Sequence, residues 1–195
     1  MIYQNGFLEV LSLQEPSTNS ANVNTNSLIR AKQRISDKAL KALSWKKDED
    51  HGDAVVVSYC DQSTEASGRD RISIWGYKDK FYLLDPLLKV NGLLDSDVED
   101  VNWSISCGRS YQMICCCGKD GILVWRMNFD NSVMLASTSV LDVFKDGGSQ
   151  FSYPIRCKFN YMASIITTSS NDSKIKIWAK VDNYKWIEDQ MISCK

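Results

Sequence analysis

The sequence predicts an all-β fold assembled from repeated four-stranded sheets, and three observations carry that expectation. Its apolar segments are short, rich in Val, Ile, Tyr and Trp, and separated by polar clusters, which is a strand-and-turn pattern. A set of four such segments occurs three times in the same order. Each set also carries the same landmarks: an aromatic residue ends the first segment at 45, 103 and 159, and a tryptophan ends the third at 75, 125 and 178. Self-similarity of this kind constrains architecture before local detail is known.

Taken in chain order, residues 6–11 form a lone apolar strand. Residues 15–27, rich in Ser, Asn and Thr, are expected to be a disordered loop within a polar connection over 15–34. Over 27–43, Leu28, Ala31, Ile35, Ala39 and Ala42 are spaced by three or four, the spacing of one face of a short helix. The first complete set comprises 42–45, 54–60, 71–75 and 81–84. The second comprises 100–103, 112–117, 121–125 and 133–135, and the third 155–159, 164–170, 174–178 and 184–187. Lys119-Asp120-Gly121 and Asn171-Asp172-Ser173 suit tight hairpins between second and third strands.

A four-stranded sheet with two apolar faces cannot bury both alone, so such sheets stack around an axis as the blades of a β-propeller. Inner strands 55–59 and 165–169 are accordingly expected to be buried on both faces. The landmark intervals of 58 and 56, then 50 and 53 residues, exceed the roughly 40 to 45 of a compact WD repeat, so the loops carry insertions. The reading is a WD-repeat β-propeller fragment with blades over 35–90, 91–145 and 150–195, preceded by the end of a truncated blade over 1–14. About three blades fall short of the roughly four to eight of a closed ring. The expectation is therefore the C-terminal part of a larger propeller, or the product of an incomplete gene model.

The totals exclude several function classes. With 23 basic against 24 acidic residues and a formal net charge of -1, no global field gathers nucleic acid or an anionic membrane. The first residues lack a basic leader followed by an apolar run, so no secretory signal is expected. No stretch approaches the roughly 20 apolar residues that span a bilayer. Seven cysteines, at 60, 107, 115, 116, 117, 157 and 194, favour reduced thiols in a cytosolic or nuclear setting.

Few residues invite chemistry. Cys115-Cys116-Cys117 suggests a metal or redox site, but adjacent strand residues point to opposite faces and no CxxC pair accompanies them, so small apolar core residues are expected. His51, the only histidine, lies among charged residues beside Gly52 and reads as a solvated loop with no base, nucleophile and orienting partner around it. Gly118-Lys119-Asp120-Gly121 lacks the spacing of a phosphate-binding loop and reads as a hairpin. Asn102-Trp103-Ser104 and Asn171-Asp172-Ser173 match the glycosylation pattern by chance. Lys174, Lys176 and Lys180 offer a basic stripe for an acidic partner or DNA, or more simply a solvated edge. Tryptophans 45, 75, 103, 125 and 178 recur at equivalent positions, as packing residues do. Trp186, in the outermost strand, is a candidate partner contact because outer strands are less covered and aromatic residues anchor interfaces.

Two segments resemble one family, the Seh-type nucleoporin, a small WD-repeat propeller of the Y-shaped outer-ring complex of the nuclear pore. They are Gly108-Arg109-Ser110-Tyr111 and Asn171-Asp172-Ser173-Lys174-Ile175-Lys176-Ile177-Trp178-Ala179-Lys180, followed by Tyr184-Lys185-Trp186. The polar loop 61–70 also has a counterpart there. The resemblance runs from Gly6 onward and corresponds to that family's C-terminal half. It adds Tyr184 and Arg109 to Trp186 as candidate partner contacts. It implies an open propeller completed by a blade donated by a larger helical nucleoporin, at the nuclear envelope with a possible cytosolic pool, and in some lineages a second role in a nutrient-sensing complex. The Asn-rich loop and the cysteine triplet have no counterpart in it, and its N-terminal blades are missing here. A related propeller of the secretory vesicle outer coat shares the architecture and is the alternative. Neither reading involves enzymatic activity, a cofactor, a metal or a small-molecule substrate.

Overall fold

Backbone pairing among the described residues forms one two-stranded and three four-stranded antiparallel sheets. The structure is a computed structural model and describes residues 6–11, 29–46, 53–60, 71–77, 81–83, 97–105, 108–109, 111–128, 139–144, 152–182 and 185–194. Strands β1 (Phe7–Leu11) and β2 (Ile29–Arg34) form the hairpin sheet. The first blade is β3 (Ala39–Lys46), β4 (Asp53–Cys60), β5 (Ile72–Tyr77) and β6 (Phe81–Leu83). The second is β7 (Val98–Trp103), β8 (Tyr111–Gly118), β9 (Gly121–Asn128) and β10 (Ser139–Phe144). The third is β11 (Pro154–Phe159), β12 (Ile165–Ser170), β13 (Lys174–Lys180) and β14 (Trp186–Ser193). Within each blade the strands lie side by side in chain order.

The two-residue side-chain period builds the core between blades. On β8, Ile114 and Cys116 face the first blade and pack with Val56, Ile74, Leu123 and Trp125. Met113, Cys115 and Cys117 face the third blade and pack with Cys157, Ile166, Trp178 and Trp186. On β4, Val55, Val57 and Tyr59 pack against Leu8 of the hairpin sheet. One inner strand thus feeds two interfaces, which is why it is apolar on both sides.

The first strands β3, β7 and β11 are spatial neighbours and are stitched by side chains of β3 and β7. Trp103 N–H donates to Ser44 Oγ at 2.9 Å, Phe159 N–H to Asn102 Oδ1 at 2.8 Å, and Cys157 N–H to Asp100 Oδ2 at 3.1 Å. Each of these strands has a β-bulge at the same place, where the register slips at Lys41, Glu99 and Ile155. The slip aims Lys41 at Glu99 across the blade boundary, with Nζ 2.9 Å from the carboxylate. At the tip of the second blade, a Cβ on Gly118 would lie 2.4 Å from the Asp97 carbonyl oxygen, so only glycine fits there.

Three local expectations are corrected. The helix over 27–43 does not form: among its described residues 29–34 belong to β2 and 39–43 to β3, and the end of the expected polar connection is strand as well. Two causes are visible. Main-chain pairing with β1 satisfies β2 from a distance in sequence, and Ser36 Oγ accepts the Lys38 N–H at 2.9 Å, a local bond that breaks a helix. The fourth strand of the second blade is Ser139–Phe144, paired with β9, whereas 133–135 lie outside the described residues. Strand β12 is not buried on both faces: Ile166, Thr168 and Ser170 are buried and Thr167 is exposed, because among the described residues only one of its faces meets another blade.

Candidate protein-binding surface

The first-to-second strand connections and the ends of the third strands lie at the same end of each blade, a consequence of antiparallel order. Arg109, in the connection after β7, ties two blades together there. One of its terminal nitrogens donates to the Ile105 carbonyl at 2.7 Å and the other to the Met162 carbonyl of the third blade at 3.1 Å. The side chains of Ile105 and Met162, whose carbonyls hold the guanidinium, are 55% and 61% exposed.

Beside this clamp lies Tyr111, at the start of β8. The Arg126 guanidinium stacks 4.1 Å from its ring centroid, Arg109 lies 5.5 Å away and Lys180 Nζ 5.7 Å away. A phenol ring attracts cations through its quadrupole, and here it gathers three from three elements. Lys180 is brought across from the third blade because it shares a strand face with Trp178, which packs into the interface with the second blade.

The expected partner contacts therefore have different settings. Arg109 is at the rim. Trp186 is 4% exposed and packs in the core between the second and third blades, its ring centroid 6.1 Å from that of Phe159. Tyr184 and His51 lie outside the described residues. The lysine stripe is divided: Lys174 pairs with Asp172 at 2.7 Å, Lys176 with Glu188 at 3.1 Å, and Lys180 turns to Tyr111. Among the landmark tryptophans, 103, 125 and 178 are buried, while Trp45 is 37% exposed and leans on Tyr77. Sequence reading missed Arg126; the available signal was that a cation follows the third-strand tryptophan by one or two residues in both blades, Arg126 after Trp125 and Lys180 after Trp178.

The cysteine triplet is core. Cys115 and Cys117 point into one interface together with Cys157, and Cys116 into the other. Burial pushes the Cys115 and Cys116 thiols above the ordinary range. For Cys117 the hydrogen bond with Cys157 is the main upward cause, and for Cys157 the hydrogen bond with Cys115, with burial adding to both. Thiols held neutral in this way are poor nucleophiles and poor ligands. Among the described residues, no group of three His, Cys, Asp or Glu side chains is placed to hold a metal ion.

No protein-family model matches the chain, and no curated sequence is similar to it. Solved structures are. The chain resembles the Dos1 propeller with a TM-score of 0.55 at 12% identity, covering 98% of this chain and 43% of that one. It also resembles KlAtg21, from its complex with the coiled coil of AgAtg16, with a TM-score of 0.50 at 12% identity, covering 85% of this chain and 49% of that one. The chain spans less than half the length of either. At such identity the likeness carries the fold alone, and with the stacked sheets described above it makes this chain a set of β-propeller blades.

Proposed function

We propose that the chain is an architectural, non-enzymatic propeller subunit that binds helical protein partners, and that its partners are outer-ring nucleoporins supporting nucleocytoplasmic transport at the nuclear envelope. The observation that carries the binding role is the outer face of the third blade. Ile175 and Ile177 are half-buried there, and on β14 Ile192, opposite Ile175, and Ile187, opposite Ala179 on the same face, are exposed. These are the residue types that fill the two interfaces between blades, so the face is suited to stacking against a further blade or strand supplied by a partner. KlAtg21 is a propeller-like neighbour solved with a coiled coil, which supports a helical partner for this architecture. The finer assignment leans on the Gly108–Tyr111 and Asn171–Lys180 segments.

The test is affinity purification of the tagged endogenous protein with mass spectrometry, alongside imaging. Co-purifying outer-ring nucleoporins and a signal at the nuclear rim are expected. Vesicle-coat subunits with punctate signal at exit sites of the endoplasmic reticulum would replace this reading with the vesicle-coat one.

A further inference from the structure

We infer that the rim where the second and third blades meet, around Arg109, Tyr111, Arg126 and Lys180, docks an acidic peptide segment of a protein partner through cations flanked by apolar anchors. The inference rests on the protein-binding role proposed above and narrows it to one surface and one ligand chemistry.

Arg109 and Lys180 come to 5.5 and 5.7 Å from one ring centroid, which Arg126 also meets at 4.1 Å, and the first two bring positive charge together at one rim of a chain whose formal net charge is -1. Neighbouring lysines on the same strand show the contrast. Lys174 and Lys176 are each neutralised by a carboxylate, at 2.7 and 3.1 Å. Among the described residues, Lys180 and Arg109 meet none: Lys180 meets the Tyr111 ring, and Arg109 that ring and two backbone carbonyls. Arg109 is therefore held by the fold, and an anion reaching it need not immobilise a free side chain, which lowers the entropic cost of binding.

The surroundings select the class of anion. Ile105 and Met162 expose their side chains beside the same guanidinium their carbonyls fix. Apolar groups next to cations match a peptide that alternates acidic and apolar residues, because aliphatic anchors and charge-assisted hydrogen bonds are then satisfied together. Nucleic acid calls for an extended basic track that follows a phosphate backbone. Here the next lysines along the strand are already paired within the chain, so the track stops.

The probe is a short fluorescein-labelled peptide alternating glutamate with leucine and phenylalanine. It is compared by fluorescence anisotropy with its glutamine counterpart and with a labelled oligo-dT, using the full chain. The acidic peptide is expected to bind and the glutamine peptide not to. Lys180→Gln and Arg109→Gln should each weaken binding by about tenfold, and Met162→Ser by about threefold. Lys174→Gln removes the same charge at the opposite end of the strand and should leave binding unchanged. The proposal is overturned if Lys180→Gln and Met162→Ser, verified as folded by circular dichroism, bind like the parent chain. It is overturned equally if Lys174→Gln weakens binding as much, or if oligo-dT binds more tightly than the acidic peptide. A chain that fails to bind the peptide yet still purifies with nucleoporins refutes this site alone; one that binds the peptide but purifies without them refutes the nucleoporin assignment alone.

Discussion

Strand β8 of the second blade and strand β12 of the third hold the same place in the same plan, and they meet different surroundings. Ile114 lies opposite Trp125 in one blade as Ile166 lies opposite Trp178 in the other. From Gln112 to Gly118 every residue of β8 is buried, whereas burial alternates along β12. The residues follow suit: Met-Ile-Cys-Cys-Cys between two blades, Ile-Ile-Thr-Thr-Ser-Ser against one. A neighbouring blade, not rank within the sheet, decides whether a position is core. Threonine suits the free face because it favours strands and also tolerates water.

Charged substitutions at matched positions should break the comparison most sharply. Cys115→Lys places an uncompensated charge between two blades and should cost about 5 kcal/mol, enough to unfold the chain. Thr167→Lys, at the matching position, should stay within about 0.5 kcal/mol; urea melts measure both. The next effect concerns pH. The thiols of Cys115, Cys116, Cys117 and Cys157 titrate higher in the folded chain than their ordinary value of 9.0. Below that value both states keep the protons and stability is complete. As pH rises past it the unfolded chain ionises first, so stability falls by about 1.4 kcal/mol per pH unit for each thiol that keeps its proton in the fold. Replacing the four with alanine should flatten the alkaline limb of a stability profile.

Smaller effects refine the same contrast. Asp100→Ala leaves the Cys157 and Val101 N–H groups without their acceptor and should cost about 2 kcal/mol. Arg156, the equivalent residue on β11, is exposed, and Arg156→Ala should change stability by less than about 0.5 kcal/mol. Thermal melts of the two variants decide this. At the blade tips, Ser173 holds φ at 62° without being glycine, so Ser173→Gly should raise stability by about 0.5 kcal/mol.

The sequence reached the blade plan because repetition is written in local residues. Trp75, Trp125 and Trp178 lie at matching places in third strands, which run on two or three residues past them, and the hairpin at Lys119-Asp120-Gly121 stands where it was expected. Local residues failed where pairing is non-local. Ile29–Arg34 is a strand only because Phe7–Leu11 lies beside it, and small residues at helical spacing gave no hint of that partner. The rim site was half legible. Arg109 and Tyr111 fall in one short segment, but the approach of Lys180 is created by stacking of separate blades, which no local pattern encodes. Trp186 erred in the opposite direction, since its strand is outermost yet its indole turns inward onto Phe159.

The bulges at Lys41, Glu99 and Ile155 give each innermost strand a spare residue at a fixed place. A one-residue deletion elsewhere in a strand inverts the sidedness of every later residue in it. At a bulge, the same deletion merely regularises the ladder. Tolerance to length change in the innermost strands should therefore be concentrated at three codons, and be highest at Ile155, since Lys41 and Glu99 engage each other in an ion pair.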